Sequence, residues 1–109
     1  DLTINPRVLV DPSQDSGVPG GAEILEFSEA IIGPSRARLD AARDALAHAL
    51  SPATVSGAAA IAANFSKNDR IANGCGIPSD PMVMSITEDI RADLGLNDFR
   101  SAANTFKHL

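Results

Sequence analysis

From residue 21 onward, apolar side chains recur at intervals of three and four, the period of helices laid against a core. Ile24, Phe27, Ser28 and Ile31 share one face of a segment running from about Gly21 to Ile32, and Leu25 and Ile32 widen it. Glu23, Glu26 and Glu29 fall largely elsewhere, crowding the end that the helix dipole makes favourable for acids. Gly33-Pro34 stops this helix. A second runs from about Ser35 to Leu50, with Leu39, Ala42, Leu46 and Leu50 as its apolar stripe and Arg36, Asp40, Arg43, Asp44 and His48 outward. The third opens with Ser51-Pro52, a Ser N-cap followed by Pro at the first helical position. Val55, Ala58, Ala59, Ala62 and Phe65 share a face there, and Ala60 and Ile61 carry apolarity almost all the way round. Such a helix is expected to be central and packed by several neighbours. It turns polar and stops at Gly74-Cys75-Gly76.

A fourth helix is expected from Asp80-Pro81, again an N-cap with Pro, to Gly95. Val83, Ile86, Ile90 and Leu94 face inward there, and Glu88, Asp89, Arg91 and Asp93 face solvent. A short last helix from Asp98 to about Thr105 would place Phe99, Ala102, Ala103 and Phe106 against the rest. Residues 1–20 are different in kind: Pro6, Pro12, Pro19, Gly17 and Gly20 are interspersed with Ser and Asp, and only Val8-Leu9-Val10 is apolar. They read as an extended arm, free to lie over the core or to reach a neighbouring subunit. The expected architecture is therefore all-α: a compact bundle of four to five helices in a single domain over residues 21–109, preceded by an arm over 1–20.

Composition sharpens this picture. The chain has 109 residues, enough for one core and too few to argue for two. It contains no Trp or Tyr and four Phe, so its core is aliphatic, which favours helices over sheets. A net charge of -5 excludes the Lys/Arg surplus that phosphate binding needs, so neither nucleic acid nor an anionic membrane surface is an expected partner. The most strongly apolar run, Ala58–Ala63, is far shorter than the ~20 residues that span a bilayer. The single cysteine, Cys75, leaves no CxxC pair, internal disulfide or thiolate zinc cluster within the chain, and a reducing cytoplasm is the expected compartment.

Candidate chemistry concentrates where the third helix turns polar. Arg70 has Asn64, Asn68, Asp69 and Asn73 within about a turn or so. A guanidinium with amides and a carboxylate suits an anionic ligand, and the same Arg near a helix C-terminus also suits a purely structural role on carbonyls or Asp69. These five residues are the binding candidates; their small-molecule ligand is unknown. Cys75 sits at a helix C-terminus, where the dipole opposes a thiolate, and is expected as a small buried hydrophobe. His48 and His108 show no metal-ligand spacing, the carboxylates read as solvated helix faces, and no nucleotide or nucleophile motif is present. No catalytic residue, metal ligand or cofactor is expected.

Two stretches carry a family resemblance. Ile24-Leu25-Glu26-Phe27-Ser28-Glu29-Ala30 resembles the leucine-rich "LLxFAEA" helix of alkylhydroperoxidase D-like (carboxymuconolactone decarboxylase superfamily) proteins. The run from Phe65 to Ile77 resembles a phrase of the same family, matching at Phe65, Arg70, Ala72 and Gly76, with Asp69 where Asn is usual and Asn73 where Asp is usual. The resemblance covers about residues 24–78, the C-terminal half of such a protein. It implies an AhpD-like helical fold and homo-oligomers whose helices pack across subunit boundaries. The redox members work through a CxxC pair with nearby Glu and His on an earlier helix, and no residue here matches that motif. The expectation is an AhpD-like helical domain without peroxidase activity by itself, either a piece of a longer protein or a stand-alone relative. Two others stand beside it: an acid-base enzyme in which Arg70 holds a carboxylate substrate, and a non-enzymatic helical interaction or oligomerisation module.

Overall fold

The computed structural model describes residues 2–108, and among them every regular element is helical. Six α-helices follow in order: α1 Gly21–Ile32, α2 Arg36–Ala49, α3 Pro52–Cys75, α4 Pro81–Ile86, α5 Glu88–Asp93 and α6 Ala103–Phe106. Single 3₁₀ turns lie at Pro6–Leu9, Leu96–Asp98 and Arg100–Ala102. By its internal packing the chain divides into two units, Asp1–Ser66 and Lys67–Leu109. The boundary falls within α3.

In the first unit, α1 and α2 form an antiparallel hairpin around Gly33-Pro34. Ser35 caps α2, its hydroxyl accepting from the Arg38 amide at 3.2 Å. Phe27 and Ala30 of α1 meet Ala42 and Leu46 of α2 in a buried cluster, with Ile24, Ile31 and Leu39 packed on it. The first half of α3 closes this cluster through Val55, Ala58 and Ala59. Alanines at this contact let the helix backbones come close, so a small cluster is still well filled.

Two features of this unit depart from expectation. The arm is not extended: residues 2–20 loop back on themselves, with the Asn5 amide donating to the Ser16 carbonyl at 3.0 Å and the Asn5 side chain donating to Gln14 Oε1 and the Asp15 carbonyl. Asn5 also caps the 3₁₀ turn that buries Val8. The Asn, Asp and Ser side chains that made the segment look irregular are the ones that close the loop. The second departure is that α3 is not central, for none of its residues is buried. In this unit the α1–α2 cluster packs on one side of it, through Val55, Ala58 and Ala59. Phe65, expected on the inward face, is 63% exposed.

In the second unit, α3 ends as its glycines suggested. Gly76 adopts φ +65°, the Ile77 amide donates to the Ala72 carbonyl at 2.9 Å and the Gly76 amide to Asn73 at 3.3 Å. This is a Schellman cap, and its Gly is free of the Cβ penalty there. The long fourth helix expected from Asp80 to Gly95 is instead broken at Thr87 into α4 and α5. The Thr87 hydroxyl donates to the Val83 carbonyl at 2.6 Å and accepts from Arg91 Nε at 3.1 Å. Such back-bonding by a β-branched Thr bends helices. Of the four positions expected inward there, only Leu94 is buried, while Ile86 is 75% exposed. The last helix is likewise shorter, beginning at Ala103. Phe99 and Phe106 remain exposed, and the buried side chain is Thr105, whose hydroxyl accepts from the Ser79 amide at 2.9 Å.

Candidate functional site

Asn64, Asn68, Asp69, Arg70 and Asn73 all lie on α3 and all are exposed. Asn64 belongs to the first unit and the other four to the second. At 100° per residue, Asn64 and Asn68 point to one side of the helix, and Asp69, Arg70 and Asn73 spread over the other. Asn73 Oδ1 accepts from Asn104 Nδ2 at 3.0 Å, which ties α3 to α6 within the second unit. A recess of about 240 Å³ against α1 and α2 is lined by Ala22, Glu23, Glu26, Ala42 and Ala45, and none of the five candidates borders it. Cys75 is exposed. Among the described residues, no group of three or more His, Cys, Asp or Glu is placed to hold a metal, and no helix is long and apolar enough to cross a membrane.

The charged side chains of the first unit are arranged as supports for the hairpin. Arg38 meets Glu26 through two hydrogen bonds, Nε to Oε1 at 2.6 Å and Nη2 to Oε2 at 2.7 Å, and so fastens α2 to α1. This pairing holds the Glu26 carboxyl below its ordinary range and raises the Arg38 guanidinium. Asp40 is lowered in the same way, first by Arg43 and then by Arg36, and Asp11 by hydrogen bonds from Ser13 and Gln14. A carboxylate lowered in the folded state contributes stability above its unfolded pKa and loses it as pH falls through the folded one. The melting temperature is therefore expected to drop as pH is lowered from about 4.5, the ordinary value for Glu. Glu26→Gln should flatten that part of the profile, and an unchanged profile would mean that the pair does not form in solution.

The sequence predicts a cover for α3 on most sides, and in the first unit the side away from the core lacks one among the described residues. Val55, Ala58, Ala59 and Ala62 face the core side, leaving Ala53, Gly57, Ala60 and Asn64 as a row along the opposite side. Ile61 stands beside that row and Phe65 on the Ala58 side of the helix, each 63% exposed. No charged side chain occurs anywhere in residues 49–66, between His48 and Lys67. The signal is in the sequence, since a stretch that is apolar nearly all round and carries no charge is either central or a contact surface, and its periodicity does not tell the two apart.

The arrangement offers apolar shape for contact. The five polar candidates, spread around α3, are not gathered by it into one pocket. Comparison with protein-family models, with curated proteins and with solved structures found no match for this chain.

Proposed function

We propose that this chain is a non-enzymatic helical association module, homo-oligomeric and cytoplasmic, with an AhpD-like order of helices. The observation that carries this reading is the uncharged first half of α3, in which no residue is buried and Ile61 and Phe65 stand 63% exposed. A solitary soluble chain of this size gains stability by covering such residues, and a neighbouring polypeptide supplies the cover here. The buried cluster of Phe27, Ala30, Ala42 and Leu46 is small for the chain it has to order, which points the same way. The AhpD-like part of the reading rests on the matches at Phe65, Arg70, Ala72 and Gly76 and on the Ile24–Ala30 helix. The cytoplasmic part rests on a lone exposed thiol, which suits a reducing compartment.

Association of this kind couples stability to concentration. The melting temperature should rise steadily as the protein is concentrated over two to three orders of magnitude. A melting temperature independent of concentration, with cooperative unfolding throughout, would overturn the proposal.

A further inference from the structure

We infer that Asn73 is a site of spontaneous covalent modification, deamidation through a cyclic imide formed with Gly74, and that the contacts of α6 on the end of α3 set its rate.

Asn73-Gly74 is the only Asn-Gly step in the sequence, and it lies in the last turn of α3 with both residues exposed. In the reaction the Gly74 backbone nitrogen gives up its proton and attacks Cγ of Asn73. The new carbon–nitrogen bond closes the imide, and the side-chain nitrogen leaves as ammonia. Water then opens the ring at either carbonyl, giving aspartate or isoaspartate. Water is the only co-reactant, and nothing is oxidised or reduced. Glycine is the neighbour that most favours closure, because it sets no Cβ beside the attacking nitrogen.

Gly74 has no other task in the fold. Gly76 adopts φ +65° and so calls for glycine, whereas Gly74 has no positive φ, and a Cβ built there meets nothing within 4 Å. Backbone and packing would both accept alanine at 74, and glycine weakens the last turn relative to it. What glycine adds there is a looser turn and a reactive junction.

The folded state holds that junction closed. Within α3 the Gly74 amide is aimed at a carbonyl one turn back, away from its neighbour's side chain. Asn104 Nδ2 donates to Asn73 Oδ1 at 3.0 Å and ties the side chain down. Thr105 Oγ1 accepts from the Ser79 amide at 2.9 Å, and Lys107 Nζ lies 3.9 Å from where a Gly76 Cβ would stand. The last helix is thus a polar clasp on the stretch from 73 to 79. Leu94 and Thr105 are the buried side chains among the described residues of this unit, so little apolar packing backs the clasp. Such regions open locally far more often than a core does. Each opening frees Asn73 and Gly74 to react, and the product accumulates because the ammonia is lost.

The product cannot restore the same end of α3. Aspartate places a negative charge at the C-terminal turn, where the helix dipole disfavours it. Isoaspartate routes the backbone through the side chain and so disturbs the cap in which the Gly76 amide reaches the Asn73 carbonyl. Modification should therefore loosen the second unit and leave the buried cluster of the first intact, a slow one-way switch.

Ageing the full chain in mildly alkaline buffer, with residue 73 followed by peptide mass spectrometry, tests this. The folded wild type should convert more slowly than the same chain unfolded in guanidinium. Asn104→Ala should convert about 2- to 10-fold faster than wild type, the net worth of one hydrogen bond expressed as an opening ratio. Thr105→Val removes a different tie and should act in the same direction, so the gate is tested twice. Gly74→Ala should fold with an unchanged or higher melting temperature and convert least. An Asn73 left intact in wild type and both clasp variants, after the unfolded chain has converted, overturns the site. Equal rates in wild type, Asn104→Ala and Thr105→Val overturn the control by α6.

Discussion

Replacing Leu46 by alanine should remove about 2–5 kcal/mol of stability, the range for deleting a buried leucine side chain together with the cavity it leaves. Leu46 is 0% exposed and lies in the cluster with Phe27, Ala30 and Ala42, where α1, α2 and the start of α3 converge. Two of its three cluster partners are alanines, which have no rotamers with which to refill the space. The cavity should therefore persist, placing the loss in the upper part of that range. Urea unfolding at a fixed protein concentration, compared with Leu39→Ala at the half-buried edge of the same cluster, measures it. A loss under about 1 kcal/mol, or one smaller than that of Leu39→Ala, would mean that this cluster is not the core of the first unit.

In the second unit the largest expected effect belongs to Thr105→Val. Thr105 is 8% exposed, and its hydroxyl receives the Ser79 amide at 2.9 Å across 26 residues of sequence. Valine keeps the shape and removes the acceptor, so the amide ahead of the Asp80 N-cap loses its partner. Ser79 is exposed, so water can take up its amide, and the expected loss is the net worth of the hydrogen bond, about 0.5–1.5 kcal/mol. Thr105→Ser keeps the hydroxyl and should retain most of the stability that Val loses. Amide hydrogen exchange at Ser79 is the sharpest readout: protection should fall in the Val variant and survive in the Ser variant. Equal protection in both would mean that the hydrogen bond does not hold the α3–α4 connection in place.

The elements with strong local punctuation were legible from sequence. Gly33-Pro34, Ser35, Ser51-Pro52 and Asp80-Pro81 placed helix boundaries at or within a residue of where they occur, because caps and prolines act through their own backbone. Legibility failed where a choice depended on partners distant in sequence. Nothing in the Val83, Ile86, Ile90 and Leu94 spacing reveals that Thr87 will bond back to Val83 and split the helix. The apolar run on α3 likewise states that contact is wanted without stating from which chain it comes. Phe65 keeps the side of α3 that its period predicts, at the edge of a face whose middle is Ala58, Ala59 and Ala62, and is 63% exposed because the buried cluster reaches α3 only at Val55, Ala58 and Ala59. The five polar candidates are close in sequence, but around a helix neighbours in sequence diverge by 100° each.

The mass of the native chain in solution tests the association reading most directly. Sedimentation equilibrium from low micromolar to several hundred micromolar, under reducing conditions that silence Cys75, should give twice 11.3 kDa at the upper end and a shift toward the single chain on dilution. A single-chain mass across the whole range, in a protein that still melts cooperatively, would contradict it.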